Sequence, residues 1–272
     1  MGKFFSSAWA TVKPPGFVTK IFAIANSFAT FSADQSPKTF KSPGCFAAKN
    51  CRSLSKILFT VRAFLFVARR NYDIVHAHAF LPGVTARFLS IAKGVSSILT
   101  VHGTSIGTTL GNPTKRWLEK FILTDVLYSA QIIVSRDFLK IKNINKKIYY
   151  IPNGVDVSQF DKVNASKEKT PTLIFVGRLH PQKNLSILLQ CINTLKQNFS
   201  LIQLLIVGDG EEKAKLEKLI KNLNLHKNVK LTEEITGAQL IKLYKSSHLF
   251  ILPSIYEGQP LTLLEAWAAK LP

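Results

Sequence analysis

From Asp73 onward, short apolar runs alternate with longer stretches whose apolar residues recur at helical spacing. Asp73-Ile74-Val75-His76 reads as a buried strand, and Gly83 to Lys93 as an amphipathic helix. Ser97 to Val101 is the next strand, ending at His102-Gly103. Lys115 to Tyr128 follows with helical spacing, then Ala130 to Val134 and Lys147 to Ile151 as strands. Strands of four to six residues joined through helices and short Gly/Asn/Pro turns predict a parallel sheet covered on both faces.

The pattern then restarts. Thr172 to Val176 is a strand, Ser186 to Gln197 a helix, Leu204 to Val207 a strand, Glu211 to Asn224 a helix. Val229 to Leu231, Gly237 to Ser246 and Leu249 to Leu252 continue the alternation, and Leu261 to Lys270 has helical composition. The chain therefore reads as α/β, with two tandem doubly wound, Rossmann-like domains. The first covers residues 1–152. Residues 153–170, polar and Lys-rich from Val163 to Thr170, read as a linker, and residues 171–272 form the second domain. Tandem domains of this kind suit enzymes that bind a nucleotide at the ends of their strands.

The first fifty residues carry a weaker pattern. Phe4 and Phe5 fit a first strand, and Phe17, Ile21, Ile24 and Phe28 share one face at helical spacing. Residues 32–53 show neither period.

Charge changes the picture. Residues 1–152 hold 21 Lys/Arg against 5 Asp/Glu, whereas residues 153–272 hold 15 against 11, within a total net charge of +20. A basic first half suits an anionic membrane surface or nucleic acid. No RNP, zinc-finger or helix-turn-helix signature accompanies the charge, so nucleic acid is the weaker reading. The apolar stretch from Ile57 to Ala68 is about half the ~20 residues that a spanning helix needs, and it contains Arg62. It reads as a packed or interfacial helix. Cys45, Cys51 and Cys191 form no C-x-x-C pair and no even framework, and no secretory leader is evident. The expectation is a cytoplasmic protein with reduced thiols, peripheral on the inner face of the cell membrane.

The chemistry concentrates in the second half. A strand ends at Leu252-Pro253-Ser254, Gly258 and Pro260 punctuate a turn, and a helix begins at Leu261. Backbone N–H groups at such a start, with the helix dipole, form a site for phosphate. Glu257 precedes the turn and Glu265 lies about one turn into the helix. Carboxylates around an anion site repel the anion, so their use is to accept hydrogen bonds from hydroxyl groups. Two surface glutamates near a helix start is the bland alternative. Against it stands Gly177-Arg178-Leu179-His180-Pro181-Gln182-Lys183-Asn184, at the carboxyl end of the first strand of the same domain. Open α/β sheets bind ligands at that end, and Arg178 with Lys183 suits a diphosphate.

Four segments together resemble the retaining, group 1 glycosyltransferases (family 4 in the sequence classification), which have the GT-B fold. They are Ile151 to Asp156, Phe175 to Arg178 with Lys183, Val207 to Gly210, and Glu257 to Glu265, the last matching the E-x7-E signature of that family. Val101-His102-Gly103 is similar to a segment of its acceptor-side domain. The resemblance implies a nucleoside-diphosphate sugar as donor, a lipid-linked or glycan acceptor, and transfer with retention of configuration. It implies that Gly177, Arg178 and Lys183 hold the diphosphate, that Glu257 lies beside the donor sugar, and that Glu265 contacts the ribose. Gly258, Gln259 and Leu261 would approach the donor through backbone N–H groups, and His102 would reach the transferred sugar. No cofactor or metal is implied, and the chain has no D-x-D pair.

The chain departs from the family in two places. A Gly-Gly loop is expected after the first strand, where Lys13-Pro14-Pro15-Gly16-Phe17 has Gly16 alone on the acceptor side. The family also continues beyond the position of Pro272 with further strands and helices, so a truncated second domain is expected. Three rival readings follow. The chain could be an inactive remnant or a membrane-associated partner of a transferase. It could be a GT-B epimerase, against which the E-x7-E with Arg178 and Lys183 argues. The H-x-H of His76-Ala77-His78 at a strand end matches metal-dependent hydrolases, although a histidine there is more often a hydrogen-bonded core residue.

Overall fold

Five consecutive buried positions, Thr172 to Val176, form the centre of the second half of the molecule, as expected for a strand covered on both faces. The computed structural model describes residues 21–24, 31–32, 65, 68–69, 71–78, 80–103, 106 and 113–272. These divide into two compact units, one ending at Pro152 and the other spanning Asn153–Pro272.

The first unit contains β1 (Ile21–Ile24), β2 (Phe31–Ser32), β3 (Ile74–His78), α1 (Phe80–Lys93) and β4 (Ser96–Val101). It continues with α2 (Pro113–Lys120), a π-helical turn over Phe121–Asp125, β5 (Ala130–Ile133), a 3-10 turn over Arg136–Lys140 and β6 (Ile148–Tyr150). The sheet runs β2-β1-β3-β4-β5-β6, parallel throughout except for the β1–β2 pair. Val75, Ala77, Leu89, Leu99, Leu123, Ile133 and Phe138 form its core.

The helical face expected around Phe17 to Phe31 is corrected here. Ile21-Phe22-Ala23-Ile24 is a strand in register with Ile74 to Ala77. A short contiguous apolar run satisfies a buried strand as well as one helical face, and periodicity alone does not separate the two. The helix expected from Lys115 to Tyr128 ends earlier, at the turn where Thr124 Oγ1 donates to the Lys120 carbonyl.

The second unit contains α3 (Val157–Asp161), β7 (Thr172–Val176), a 3-10 turn over Pro181–Lys183, α4 (Leu185–Leu195) and β8 (Gln203–Val207). It continues with α5 (Lys213–Asn222), β9 (Val229–Thr232), α6 (Gly237–Ser246), β10 (Leu249–Phe250) and α7 (Leu261–Ala268). Its four strands are all parallel, in the order β10-β7-β8-β9. The chain winds outward from β7 through β8 to β9, then returns to place β10 on the other side of β7. That reversal is a topological switch point, and its crevice lies beyond the carboxyl ends of β7 and β10. Two apolar layers cover the faces: Leu185, Leu189, Ile192, Leu216 and Ile220 on one, and Phe160, Ile241, Tyr244, Phe250 and Ala266 on the other.

The stretch 153–170, expected as a linker, packs into the second unit. Asp156 caps α3 through the Ser158 N–H, Phe160 is buried, the Glu168 N–H donates to the Ser246 carbonyl, and Lys167 Nζ donates to that of Ser247. Its polar composition hid two apolar anchors, buried Phe160 and partly buried Val163. Among the described residues, no helix is long and apolar enough to cross a membrane.

Candidate functional site

The carboxyl end of β7 is shaped by backbone rather than by side chains. The Gly177 N–H donates to the Val207 carbonyl, the Leu179 N–H to that of Asp209, and the Glu212 N–H to that of Leu179. The loop after β7 is thus laced to the loop after β8. Such closeness leaves no room for side chains: a Cβ on Gly208 would lie 2.1 Å from the Gly177 carbonyl oxygen, and one on Gly210 2.3 Å from that of Leu179. Gly208 also has φ +145°, a conformation that L side chains rarely adopt.

This lacing fixes the residues that follow. Leu179 is fully buried and anchors the loop, while its neighbour Arg178 is exposed. His180 accepts from the Gln182 N–H and starts the 3-10 turn, which ends at Asn184 in the left-handed region. Opposite, beyond β10, the Ile255 N–H donates to the Gln182 carbonyl and Gln182 Nε2 donates to that of Tyr256. The two loops flanking the switch point are therefore tied together. Between them Lys183 Nζ pairs with Glu257 Oε1, both side chains about four-fifths buried. In so sheltered a pair each charge depends on the other.

The turn into α7 is pinned from another direction. The Asn153 N–H donates to Gln259 Oε1, and Asn153 Nδ2 donates to the Gln259 carbonyl at 2.9 Å. Gln259 therefore holds its own loop in place. Pro260 caps α7 without a side-chain hydrogen bond, and the Leu263 N–H donates to its carbonyl, so the N–H groups of Leu261 and Thr262 lack the intrahelical carbonyl partners that interior ones have. Glu265, one turn on, is half-buried, and its Oε2 accepts from the Tyr244 hydroxyl at 3.0 Å. Burial holds its carboxyl above the usual carboxylate range, while the Tyr244 hydrogen bond acts in the opposite direction.

The structure thus brings Gly177, Arg178, Lys183, Glu257, Gly258, Gln259, Leu261 and Glu265 onto loops and a helix start at one end of one sheet. An exposed cation, a second cation in an ion pair, a helix start and two carboxylates form an arrangement that can hold an anion and accept from nearby hydroxyls. His102 belongs to the first unit and follows β4. Gly16 lies outside the described residues, as do Cys45 and Cys51.

His76, His78 and His102 gather at the carboxyl ends of β3 and β4. His76 Nε2 lies 2.7 Å from Thr100 Oγ1, and His78 Nδ1 lies 2.8 Å from His102 Nε2. Burial lowers the pKa of all three, with neighbouring imidazoles adding to the effect on His76 and His78, to about 4 for His76 and about 3 for His78. The rival reading of His76 and His78 as metal ligands gains no support: these ring nitrogens hydrogen-bond to Thr100 and His102, and the described residues contain no group of three or more His, Cys, Asp or Glu that could hold a metal ion. The link from His78 to His102 was not legible beforehand, because it joins positions 24 apart through strand pairing. The contacts of Asn153 with Gln259 and of Tyr244 with Glu265 were not legible for a similar reason.

Two α/β units, each built on a largely parallel sheet with alternating helices, define a protein of two Rossmann-like domains. The model of a family described as "Glycosyltransferase Family 4" matches residues 24–159, and that of "Glycosyl transferases group 1" matches residues 156–272. The chain belongs to the group 1 glycosyltransferases of GT-B fold. It is 30% identical over 252 residues to the UDP-Gal:alpha-D-GlcNAc-diphosphoundecaprenol alpha-1,3-galactosyltransferase of Escherichia coli, covering 84% of this chain and 64% of that protein. It is 28% identical to the capsular polysaccharide biosynthesis glycosyltransferase CapH of Staphylococcus aureus, covering 78% and 62%. The chain spans about three fifths of the length of the curated relatives it matches. Among solved structures, sucrose-phosphate synthase from Thermosynechococcus elongatus superposes with a TM-score of 0.67 at 20% identity, covering 88% of this chain and 63% of that one. Anabaena HepE in complex with UDP and glucose gives 0.65 at 17% identity, covering 81% and 63%.

Proposed function

We propose that the protein transfers a sugar from a nucleoside-diphosphate sugar to an acceptor hydroxyl with retention of configuration. The observation that carries this reading is the cluster at the β7/β10 switch point: exposed Arg178, the Lys183–Glu257 pair and the open start of α7. In this reading Arg178 and Lys183 grip the diphosphate and stabilise the charge that develops as it leaves. The backbone at Gly177, Gly258, Gln259 and Leu261 approaches the donor closely, Glu257 accepts from hydroxyls of the donor sugar, and Glu265 accepts from the ribose. His102, kept neutral by burial, serves the transferred sugar as a hydrogen-bonding group rather than as a cation. The acceptor attacks the face that the nucleoside diphosphate vacates, without a metal or other cofactor.

UDP is the first donor nucleotide to test, because the Escherichia coli relative is named for UDP-Gal and HepE was solved with UDP. A lipid-linked acceptor is proposed on the same relative's name. Thermal-shift measurement against UDP-, GDP- and ADP-sugars is expected to give a saturable stabilisation with one of them. Stabilisation by none would overturn the reading. Binding without turnover would favour an inactive remnant.

Peripheral association with an anionic membrane surface is favoured by an exposed aromatic pair at the end of α2. Trp117 and Phe121 are 68% and 46% exposed and stack at 5.8 Å, beside exposed Lys120. Aromatic rings next to cations suit a headgroup interface, where each well-placed cation contributes about 1 kcal/mol. Cosedimentation with phosphatidylglycerol vesicles is expected at low salt, and Trp117→Ala with Phe121→Ala is expected to reduce it severalfold. Equal sedimentation with phosphatidylcholine vesicles, or none with either, would count against this.

A further inference from the structure

The Tyr244 hydroxyl occupies an unusual place for a polar atom. The residue is fully buried among Ile241, Phe250, Ala266 and Leu271, in the apolar layer on one face of the second sheet. Its ring packs against Phe250 at 6.1 Å, a contact that phenylalanine would make equally well. Burying the hydroxyl is unfavourable unless it is hydrogen-bonded, and the bond it makes is to a carboxylate near the surface. Its oxygen lies 3.0 Å from Glu265 Oε2 and 3.3 Å from the Thr262 carbonyl oxygen, both on the first turns of α7. The core of the sheet is thus linked to the one acidic residue of that helix.

Glu265 has three side-chain torsions and a carboxyl group that rotates freely unless held. Fixing Oε2 sets the plane of the carboxylate and leaves Oε1, which makes no hydrogen bond to any described residue, to accept from a ligand. Near a diphosphate an unpaired carboxylate is a liability, and it becomes useful only when it meets hydroxyl donors at defined positions. A ribose offers two adjacent hydroxyls. Discrimination of a hydroxyl from its absence depends on an acceptor that cannot relax away when the hydroxyl is missing.

We propose that Tyr244 is a positioning residue for ribose recognition: its buried hydroxyl orients Glu265 to read the 2′ and 3′ hydroxyls of the nucleotide. The proposal rests on the donor-site reading above. Tyr244→Phe keeps the ring and removes only the oxygen, so the fold is retained, which the melting temperature verifies.

Isothermal titration of UDP and 2′,3′-dideoxy-UDP into the wild type, Tyr244→Phe, Glu265→Gln and the double variant separates the outcomes. The wild type is expected to prefer UDP about tenfold or more. Tyr244→Phe is expected to lose most of that preference through weaker UDP binding, with dideoxy-UDP affinity unchanged. In the Glu265→Gln background, removing the Tyr244 hydroxyl is expected to have little further effect, because the two act through one contact. Wild-type preference that survives Tyr244→Phe intact would overturn the role of Tyr244 while leaving the donor site standing. Equal loss of both nucleotides in Tyr244→Phe would reduce its role to general packing and overturn the proposal. A wild type that binds UDP without preference would overturn the ribose role of Glu265, and one that binds none of UDP, GDP and ADP would remove the donor-site reading together with the proposal.

Discussion

Gly208→Ala is expected to unfold the switch-point end of the second unit and, on the proposed function, to abolish nucleotide binding. The added Cβ would sit 2.1 Å from the Gly177 carbonyl oxygen and 3.0 Å from its carbonyl carbon. Backbone immediately after a central strand cannot swing aside as a flexible side chain can, and φ +145° adds conformational strain for alanine. Relief would require separating the loops after β7 and β8. That breaks the bonds from Gly177 N–H to Val207 and from Leu179 N–H to Asp209, and displaces Arg178. A loss on the order of 3–5 kcal/mol is expected, read as a lower urea midpoint. Gly154→Ala is the control: a Cβ there meets nothing within 4 Å and no unusual φ is required, so a change within about 0.5 kcal/mol is expected. Equal behaviour of the two variants would show that the close approach at Gly208 is not constraining.

Mild acid is expected to destabilise the first unit. His76 and His78 are neutral in the folded state, with pKa values of about 4 and about 3 against 6.5 for an unperturbed imidazole. The unfolded chain takes up protons at these positions as pH falls through about 6.5, whereas the folded chain does not until pH approaches 4. Between those limits acid favours unfolding. From pH 7.5 to pH 5 each of the two histidines is expected to contribute about 2 kcal/mol of lost stability. Burial of His102 acts in the same direction. Urea unfolding at the two pH values measures the effect, and His76→Gln, which retains a hydrogen-bonding group toward Thr100, is expected to remove about 2 kcal/mol of the pH dependence. Stability unchanged between pH 7.5 and pH 5 would mean that these imidazoles are not desolvated.

How far the residues alone could be read depends on whether their partners are near in sequence. Thr172 to Val176 and Gly237 to Ser246 were placed to the residue, the first because Pro171 and Gly177 bound a short run rich in β-branched residues, the second because an amphipathic stretch runs from Gly to Ser. That Arg178, Lys183, Glu257 and Glu265 share one end of one sheet was legible, because they follow strand ends or sit at a helix start. What they touch was not legible. The pairing of Lys183 with Glu257 spans 74 positions, that of Asn153 with Gln259 spans 106, and Tyr244 reaches Glu265 from a different helix. Ile21 to Ile24 was misread because four apolar residues carry too little period to choose between helix and strand. Residues 153–170 read as a linker because only two apolar residues, Phe160 and Val163, pack a mostly polar stretch against the core.

The Lys183–Glu257 pair also decides how the proposed donor site should fail. If that site holds a diphosphate, removing Lys183 takes one cation from it and leaves Glu257 as an uncompensated, sheltered carboxylate. Arg178 is exposed and paired with no described residue, so its removal subtracts attraction without stranding a partner. The account is tested most directly by titrating UDP into the wild type, Arg178→Ala and Lys183→Ala. It predicts saturable binding by the wild type, weakened more than tenfold in both variants and furthest in Lys183→Ala. Wild-type affinity retained in both variants would contradict it.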